Sequence, residues 1–387
     1  MEICSIDSCT GCGVCSNVCK CGAISMCEDS RGFLYPKINA DKCAECGLCQ
    51  KRCPANNIYT ETSMQTVYAG WNKSKSVKRK SSSGGMFSLL AEWFLDNGGY
   101  VVGCAWGDDF SAKHICVNNK KDLEKLRGSK YIQSSTGDIY IKVKSLLDNG
   151  ERVFFSGTPC QVHGMRTFLN KDYENLYTVD LVCHGVPPYK MFKEHLQEVS
   201  GGDIDKVAKV YLRYKKPCWN FGSVRVEMKD NRVYMLPTVK DAYFNIFNFN
   251  YSLRDSCHKC RYTNFNRTAD ITLCDFWGFY PQNFKLFGYD KGVSGVIVNS
   301  QKGLELFDKI KAFAVYEKDS IERVLNGNKS LKEPFKAPEN VSDFWHDYEN
   351  GMSVSELDKK YVKNPYKVPS LLKLRILKSK FRWIFER

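Results

Sequence analysis

A chain of 387 residues, 43% of them hydrophobic, is long enough for two or three domains and a sizeable core. The formal charge is +14, yet the basic residues are spread along the chain rather than gathered into a stripe, which argues against nucleic-acid binding. No apolar run is long enough to span a bilayer, and the start MEICSIDSCTGC lacks the basic opening and apolar stretch of a secretory signal, so the 19 cysteines are not expected to form an exported disulfide framework.

Taken in order, the first stretch is CTGCGVCSNVC, then twenty-three residues, then CAECGLCQKRCP. Cys9, Cys12, Cys15 and Cys19 follow C-x2-C-x2-C-x3-C, and Cys43, Cys46, Cys49 and Cys53 repeat it before Pro54. This is the ligand spacing of a double 4Fe-4S ferredoxin module, in which the fourth cysteine of each run serves the other cluster. Cluster one then takes Cys9, Cys12, Cys15 and Cys53, and cluster two takes Cys43, Cys46, Cys49 and Cys19. Zinc prefers four ligands in two pairs and fits this doubled run poorly. Lys20 stands where a proline usually follows Cys19, and Cys21 lies one residue beyond. Each cluster with its four thiolates adds about −2, so two or three of them bring the net charge to about +10 or +8, a modest field that would steer acidic carriers or anionic substrates. Thiolates that must stay reduced imply the cytoplasm.

The module is expected to end in the polar stretch Ala55 to Gln65, giving a first domain over 1–62, with RGFLYPKIN between the runs as a hairpin strand. VYAGW reads as a strand, and the basic, Ser-rich segment after it as a loop. Met86 to Leu95 has helical spacing and stops at Gly98-Gly99. YVVGCAW, KHICV and RVFFSG read as strands, TGDIYIKVKSLLDNG and TPCQVHGMRTFL as helices, LYTVDLVCHGVP as a buried strand ending in a loop, and PYKMFKEHLQEV as a helix. This alternation predicts a mixed α/β domain over 63–330, in two parts of about 63–150 and 151–330. Residues 206–237 read strand on strand, as an antiparallel insertion, and GVSGVIVNS with QKGLELFDKI closes the core. An extension over 331–387 ends in SLLKLRILKSKFRWIFER, where apolar Leu374, Leu377, Phe381 and Ile384 oppose Lys373, Lys380 and Arg387. Such a basic amphipathic helix either packs on the core or a partner subunit, or lies in a membrane interface as a peripheral contact.

Four loops of the larger domain carry its chemistry. SSSGG, Ser81 to Gly85, precedes a helix and reads either as a phosphate seat or as a Ser-rich N-cap. GSKYIQSS offers Lys130, Tyr131 and Gln133. SGTPCQ and VCHG follow successive strands, which makes Cys160 and Cys183 neighbours at the ligand-binding edge of an α/β sheet. With the CxxC pair Cys257 and Cys260 they complete a four-thiolate set that suits a third 4Fe-4S cluster, zinc, or, as a bland reading, inert buried thiols. His163 and His184 read as ligands, proton donors or core residues. The remaining cysteines, Cys4, Cys21, Cys27, Cys104, Cys116, Cys218 and Cys274, read as small hydrophobes.

In order, SSSGGMFSLLAEWFLDNGGYVVGCAW, LRGSKYIQSSTGDIY, VFFSGTPCQVHGMR, VDLVCHGVP and SCHKCRY…RTADITLCDFWG resemble the coenzyme F-420 hydrogenase/dehydrogenase beta-subunit family over about residues 64–300. Cys274 stands where that pattern usually has glycine. The resemblance implies FAD, seated against these loops at Ser82, Ser83, Gly84, Gly85, Lys130, Tyr131, Gln133, Gly157, Thr158 and Gln161, and an iron–sulfur cluster in the same domain. It also implies electron transfer with a redox partner: a ferredoxin, a deazaflavin coenzyme or a nicotinamide donor. Members fused to ferredoxin modules also occur in bacteria not known to use that coenzyme, often with polysaccharide-biosynthesis functions. The expected function is an iron–sulfur flavoprotein oxidoreductase, with an electron-transfer subunit docking on a separate reductase as the alternative.

Overall fold

The computed structural model describes residues 2–57, 64–282 and 291–363. In the N-terminal module, strands β1 (Ile24–Glu28) and β2 (Leu34–Ile38) form an antiparallel hairpin between the two cysteine runs. The short helices Val14–Val18 and Leu48–Arg52 each start from a glycine in the left-handed region, Gly13 at φ 77° and Gly47 at φ 67°, a conformation other residues adopt at a cost. That turn swings the chain around each cysteine loop.

Next come β3 (Thr66–Asn72), β4 (Tyr100–Trp106), β5 (Ala112–Val117), β6 (Ser134–Ser135), β7 (Val153–Gly157) and β8 (Leu176–Leu181). The insertion supplies β9 (Val207–Cys218), β10 (Phe221–Met228) and β11 (Val233–Pro237), and the chain returns with β12 (Ile271–Asp275), β13 (Ser294–Val298) and β14 (Ala314–Asp319). The main sheet has nine strands in the order β14-β3-β13-β12-β8-β7-β4-β5-β6, and the insertion forms its own antiparallel sheet β11-β10-β9. Strands β12, β8, β7 and β4 are mutually parallel, which places helices on both faces.

Both faces of the sheet are apolar, and the period of two assigns them. Val101, Phe154 and Val179 pack under the helices Met86–Asp96 and Gln301–Ile310, with Leu90, Phe94 and Phe307. Val102, Val153 and Phe155 face the helices Ile139–Asp148 and Pro159–Leu169, where Tyr140, Val143, Val162 and Met165 meet Val14 and Val18 of the N-terminal module. The module therefore shares the domain's core. A Cβ on Gly164 would stand 2.9 Å from Val14 Cγ2, so the helix Pro159–Leu169 admits the module at this close approach.

Five elements go beyond or differ from the sequence reading. The basic segment expected as a loop holds the helix Lys75–Lys80, N-capped by the Ser74 hydroxyl. Strands β12 and β14 were not foreseen. The helices Val341–Glu349 and Val354–Tyr361 belong to a core cluster with Phe33, Phe192, Tyr243 and the insertion, where Phe344 and Trp345 are fully buried, so the described part of the extension closes the fold. The amphipathic tail expected from Ser370 lies outside the described residues. Among those described, no helix is long and apolar enough to cross a membrane.

Candidate functional site

Strands β4, β7, β8 and β12 end at Trp106, Gly157, Leu181 and Asp275 on one edge of the sheet. Asp275 pairs with Ser294 and Ser294 with Gly70, so β13 begins and β3 ends at that edge too. The SSSGG, SGTPCQ, VCHG and CDFWG loops thus leave one carboxyl edge, where open α/β sheets bind ligands.

Cys160 opens the helix Pro159–Leu169. Thr158 caps that helix with Gln161 in a reciprocal box, and its hydroxyl lies 3.1 Å from the Cys160 sulfur. Cys183 follows β8, whose end is held by the buried Asp180–Arg267 pair at 3.0 Å and by Arg267 Nη2 donating to the Leu181 carbonyl at 3.2 Å. Cys257 lies in the short helix Asp255–His258, its N–H donating to the Arg254 carbonyl at 2.8 Å, and Cys260 lies two residues past that helix. The four thiols are electrostatic neighbours. Burial pushes Cys183 well up, with Cys257, Cys160 and Cys260 adding to it, and burial and neighbouring thiols push Cys257 up to about 12 and Cys260 to about 11. Crowded thiols that resist ionisation are relieved by a cation that takes the place of their protons, so this donor set fits a thiolate-bound metal group. Among the described residues no three His, Cys, Asp or Glu side chains form a ready-made single-ion site. A cubane spreads its ligands around a larger body than one ion does.

In the N-terminal module, Cys9, Cys12, Cys15 and Cys53 line one small cavity of about 20 Å³, which brings the last cysteine of the second run to the first. Cys49 is raised by burial, with Cys46 and Cys19 adding to it, which is the reverse exchange. Cys43 stands where the second run opens, its N–H bonded to the Ala40 carbonyl. Cys21 is exposed and Cys19 half-buried, and the Cys19 sulfur accepts from Ala23 N at 3.3 Å. Cys4 is not a bland small hydrophobe. It lines the first cavity beside Cys9 and Cys53, where sharing its proton with their sulfurs holds Cys4 protonated and lowers both neighbours. Cys12, Cys15 and Cys53 are buried, whereas Cys46 is exposed.

The two thiol regions adjoin. Cys12 feels Cys160, and the Thr10 hydroxyl donates to the Cys160 sulfur. The Cys12 carbonyl accepts from Thr136 Oγ1 at 2.9 Å and Tyr140 OH at 3.0 Å, while Arg261 Nη1 reaches the Pro54 and Ala55 carbonyls at 3.2 Å each. Buried Arg254 donates from Nε to the Cys9 carbonyl at 2.7 Å, a contact no local pattern around CxxC announces. Of the two candidate histidines, His163 is buried with Nδ1 2.8 Å from Tyr262 OH, and half-buried His184 stacks on Phe335 with Nε2 2.8 Å from Asn250 Oδ1.

The expected flavin seat is largely spent on the protein itself. Ser82 Oγ accepts from Ser129 N at 2.9 Å, Ser83 Oγ donates to the Val293 carbonyl at 2.9 Å, and Gly84 N donates to Ser294 Oγ at 3.0 Å. A Cβ on Gly84 would stand 2.5 Å from the Gly70 carbonyl, so the glycine answers a close backbone approach, and Gly85 caps the next helix at φ 87°. Gln161 Nε2 binds Ser134 Oγ at 2.9 Å beside Gly157 and Thr158. Gln133 turns away to the N-terminal module, accepting from Leu34 N at 3.2 Å. Lys130 caps the Lys125 and Arg127 carbonyls at 3.1 Å, and burial lowers it to about 8, while Tyr131 packs on Phe244. The sequence reading missed Lys215 of β9, whose Nζ reaches the Ser83 carbonyl at 2.9 Å and the Lys291 carbonyl at 3.1 Å, and which burial lowers to about 7. It places a cation directly beneath the SSSGG loop.

A large mixed α/β sheet sharing its core with a cysteine-rich N-terminal module defines an iron–sulfur protein of the electron-transfer class. Residues 8–57 match the 4Fe-4S dicluster domain, residues 67–139 the N-terminal part and residues 150–324 the C-terminal part of the beta subunit of coenzyme F420 hydrogenase/dehydrogenase. The chain belongs to the coenzyme F420 hydrogenase/dehydrogenase beta-subunit family and carries a 4Fe-4S domain in front. It is 23% identical to a subunit of the F(420)H(2) dehydrogenase of Methanosarcina mazei, over 80% of this chain and 84% of that one. It is 24% identical to the coenzyme F420-dependent sulfite reductase of Methanocaldococcus jannaschii, over 89% of this chain but only 53% of that longer protein. A chain of the F420-reducing NiFe hydrogenase complex from Methanosarcina barkeri is 18% identical, with a TM-score of 0.45 over 79% of this chain and 92% of that chain, a likeness too loose to carry an argument.

Proposed function

We propose that the chain passes electrons in series, from cluster two through cluster one to a third 4Fe-4S cluster in the larger domain, and from there to FAD at the carboxyl edge of the sheet. The carrying observation is the junction at which Thr136 and Tyr140 of the larger domain bond the Cys12 carbonyl while Cys160 lies within electrostatic reach of Cys12. Cluster two would be held by Cys43, Cys46, Cys49 and Cys19 and is the entry point, because Cys46 is exposed. Cluster one would be held by Cys9, Cys12, Cys15 and Cys53, shielded in the shared core. Cys160, Cys183, Cys257 and Cys260 would hold the third. A flavin, when bound, supplies the exchange between one-electron and two-electron chemistry. The chain's part is to orient and desolvate: the Asp180–Arg267 pair fixes the turn before Cys183, and Lys215 holds the SSSGG loop from below.

The flavin reading rests on the family and on the shared edge of the four loops. The hydroxyls of Ser82 and Ser83 are already engaged, and Lys215 already donates to the Lys78, Ser83 and Lys291 carbonyls, so a phosphate there would be met by loop backbone. The relative named as a dehydrogenase subunit supports a partner subunit, and a deazaflavin coenzyme is the two-electron carrier that the names of the relatives suggest. Spectra of the anaerobically purified chain test this reading. Bound flavin should be present and should bleach with reduced deazaflavin, NADH, NADPH or reduced ferredoxin, whichever is the physiological donor. A chain purified without flavin, and unable to bind added FAD, would leave the electron-transfer subunit as the function.

A further inference from the structure

Arg254 is completely buried, and no carboxylate is paired with it among the described residues. Its Nε donates to the Cys9 carbonyl at 2.7 Å and its Nη1 reaches Gln133 Oε1 at 3.5 Å, while Nη2 is buried without a hydrogen-bond partner. The guanidinium lies 3.9 Å from the centre of the Tyr35 ring and 5.6 Å from that of Phe33, both in the N-terminal module. Its backbone belongs to the larger domain: the Arg254 N–H donates to the Val186 carbonyl at 3.1 Å, and its own carbonyl accepts from Cys257 N at 2.8 Å. One residue thus ties the turn that carries Cys257 to the loop that carries Cys9. Its field is felt at both sulfurs.

A guanidinium cannot shed its proton in a protein, so burial leaves it charged and in need of an anion. Aromatic faces and two neutral acceptors answer its hydrogen bonds only in part, and they do not neutralise it. No carboxylate is paired with it among the described residues, and the thiolate sets on either side acquire anionic charge on loading, since each cubane with four thiolates carries about −2. We infer that Arg254 is the shared counter-charge of cluster one and the third cluster, a positioning residue that raises the reduction potential of both and keys the N-terminal module onto the larger domain. The inference rests on the reading that cubanes occupy these two thiolate sets. Its physical basis is that reduction adds a negative charge to a cluster, and a fixed buried cation beside that cluster stabilises the reduced form more than the oxidised one. Placed between two clusters, one cation keeps their potentials raised together, so that neither becomes a trap for electrons moving between them.

The test uses the full chain, purified anaerobically, with Arg254→Gln and Arg254→Lys. Iron and sulfide are counted first, and potentiometric titration read by EPR then gives each cluster's midpoint. Cluster two serves as the internal reference, because Arg254 is hydrogen-bonded to Cys9 and Gln133 and to none of Cys19, Cys43, Cys46 or Cys49. In Arg254→Gln, cluster one and the third cluster should both become harder to reduce while cluster two holds its value, and Arg254→Lys should stay near the parent at all three. Full iron with unchanged potentials in Arg254→Gln would overturn the inference, as would a shift confined to one of the two clusters. If Arg254→Gln fails to hold its clusters, Arg254→Lys decides: potentials near the parent's support the counter-charge, and potentials that fall although the charge is kept contradict it. A parent chain with about eight irons instead of about twelve would remove the third cluster itself, a failure distinct from unchanged potentials in a fully loaded chain.

Discussion

His114 is buried on β5 with its Nε2 3.2 Å from the Ser156 carbonyl, and burial pushes its pKa from 6.5 down to about 4. The folded ring therefore stays neutral where the unfolded one takes up a proton. As pH falls from 6.5 toward 4 the unfolded state binds that proton and the folded state does not, so the stability His114 contributes is complete above 6.5 and is lost through that window. The loss is at most about 3.5 kcal/mol, because a unit of pKa is worth about 1.4 kcal/mol. Thermal melts of the intact anaerobic protein should fall more steeply over this window in the parent than in His114→Gln, whose amide keeps a donor toward Ser156. Parallel slopes would exclude the residue as an acid-sensitive point.

At the scale of elements, the SSSGG turn is held by backbone contact. Because a Cβ at Gly84 would meet the Gly70 carbonyl at 2.5 Å and Ser294 N at 2.8 Å, Gly84→Val should cost about 2–3 kcal/mol through overpacking and lower the melting temperature of the whole chain. If the variant kept the parental melt, the edge would be looser than these contacts imply. Much of the fold was readable because its long segments carry clear periods. Met86 to Leu95 was spaced for a helix that runs to Asp96, and Val67 to Trp71 for β3. That Cys160 and Cys183 leave the same sheet edge followed from their places after neighbouring parallel strands. Less was readable where stability is tertiary. ITLCD became β12 inside a polar and cysteine-rich stretch, and Lys75–Lys80 is a six-residue helix too short to show a period. Arg254 had no local signature at all, since its partner Cys9 lies 245 residues away in sequence. The partners of the SSSGG hydroxyls were hidden for a similar reason. Small hydroxyls before a helix look the same whether they face a phosphate or, as Ser82 and Ser83 do, their own neighbours.

At the scale of the whole molecule, the N-terminal module and the mixed sheet are one packed body through Val14 against Gly164, Thr136 and Tyr140 on the Cys12 carbonyl, and Arg261 on Pro54 and Ala55. That rigidity is what electron transfer requires, because it fixes the separation between successive clusters instead of leaving it to a linker. Exposure falls from Cys46 at the surface to the buried Cys12, and Cys160 in the domain is half-buried. Three cubanes standing in this line would show directly in the metal content of the chain. The anaerobically purified parent should hold about twelve irons and as many sulfides per chain, and Cys257→Ala about eight, with the two signals of the N-terminal clusters intact by EPR. A parent with about eight irons and one zinc, or a Cys257→Ala variant with its iron undiminished, would contradict it.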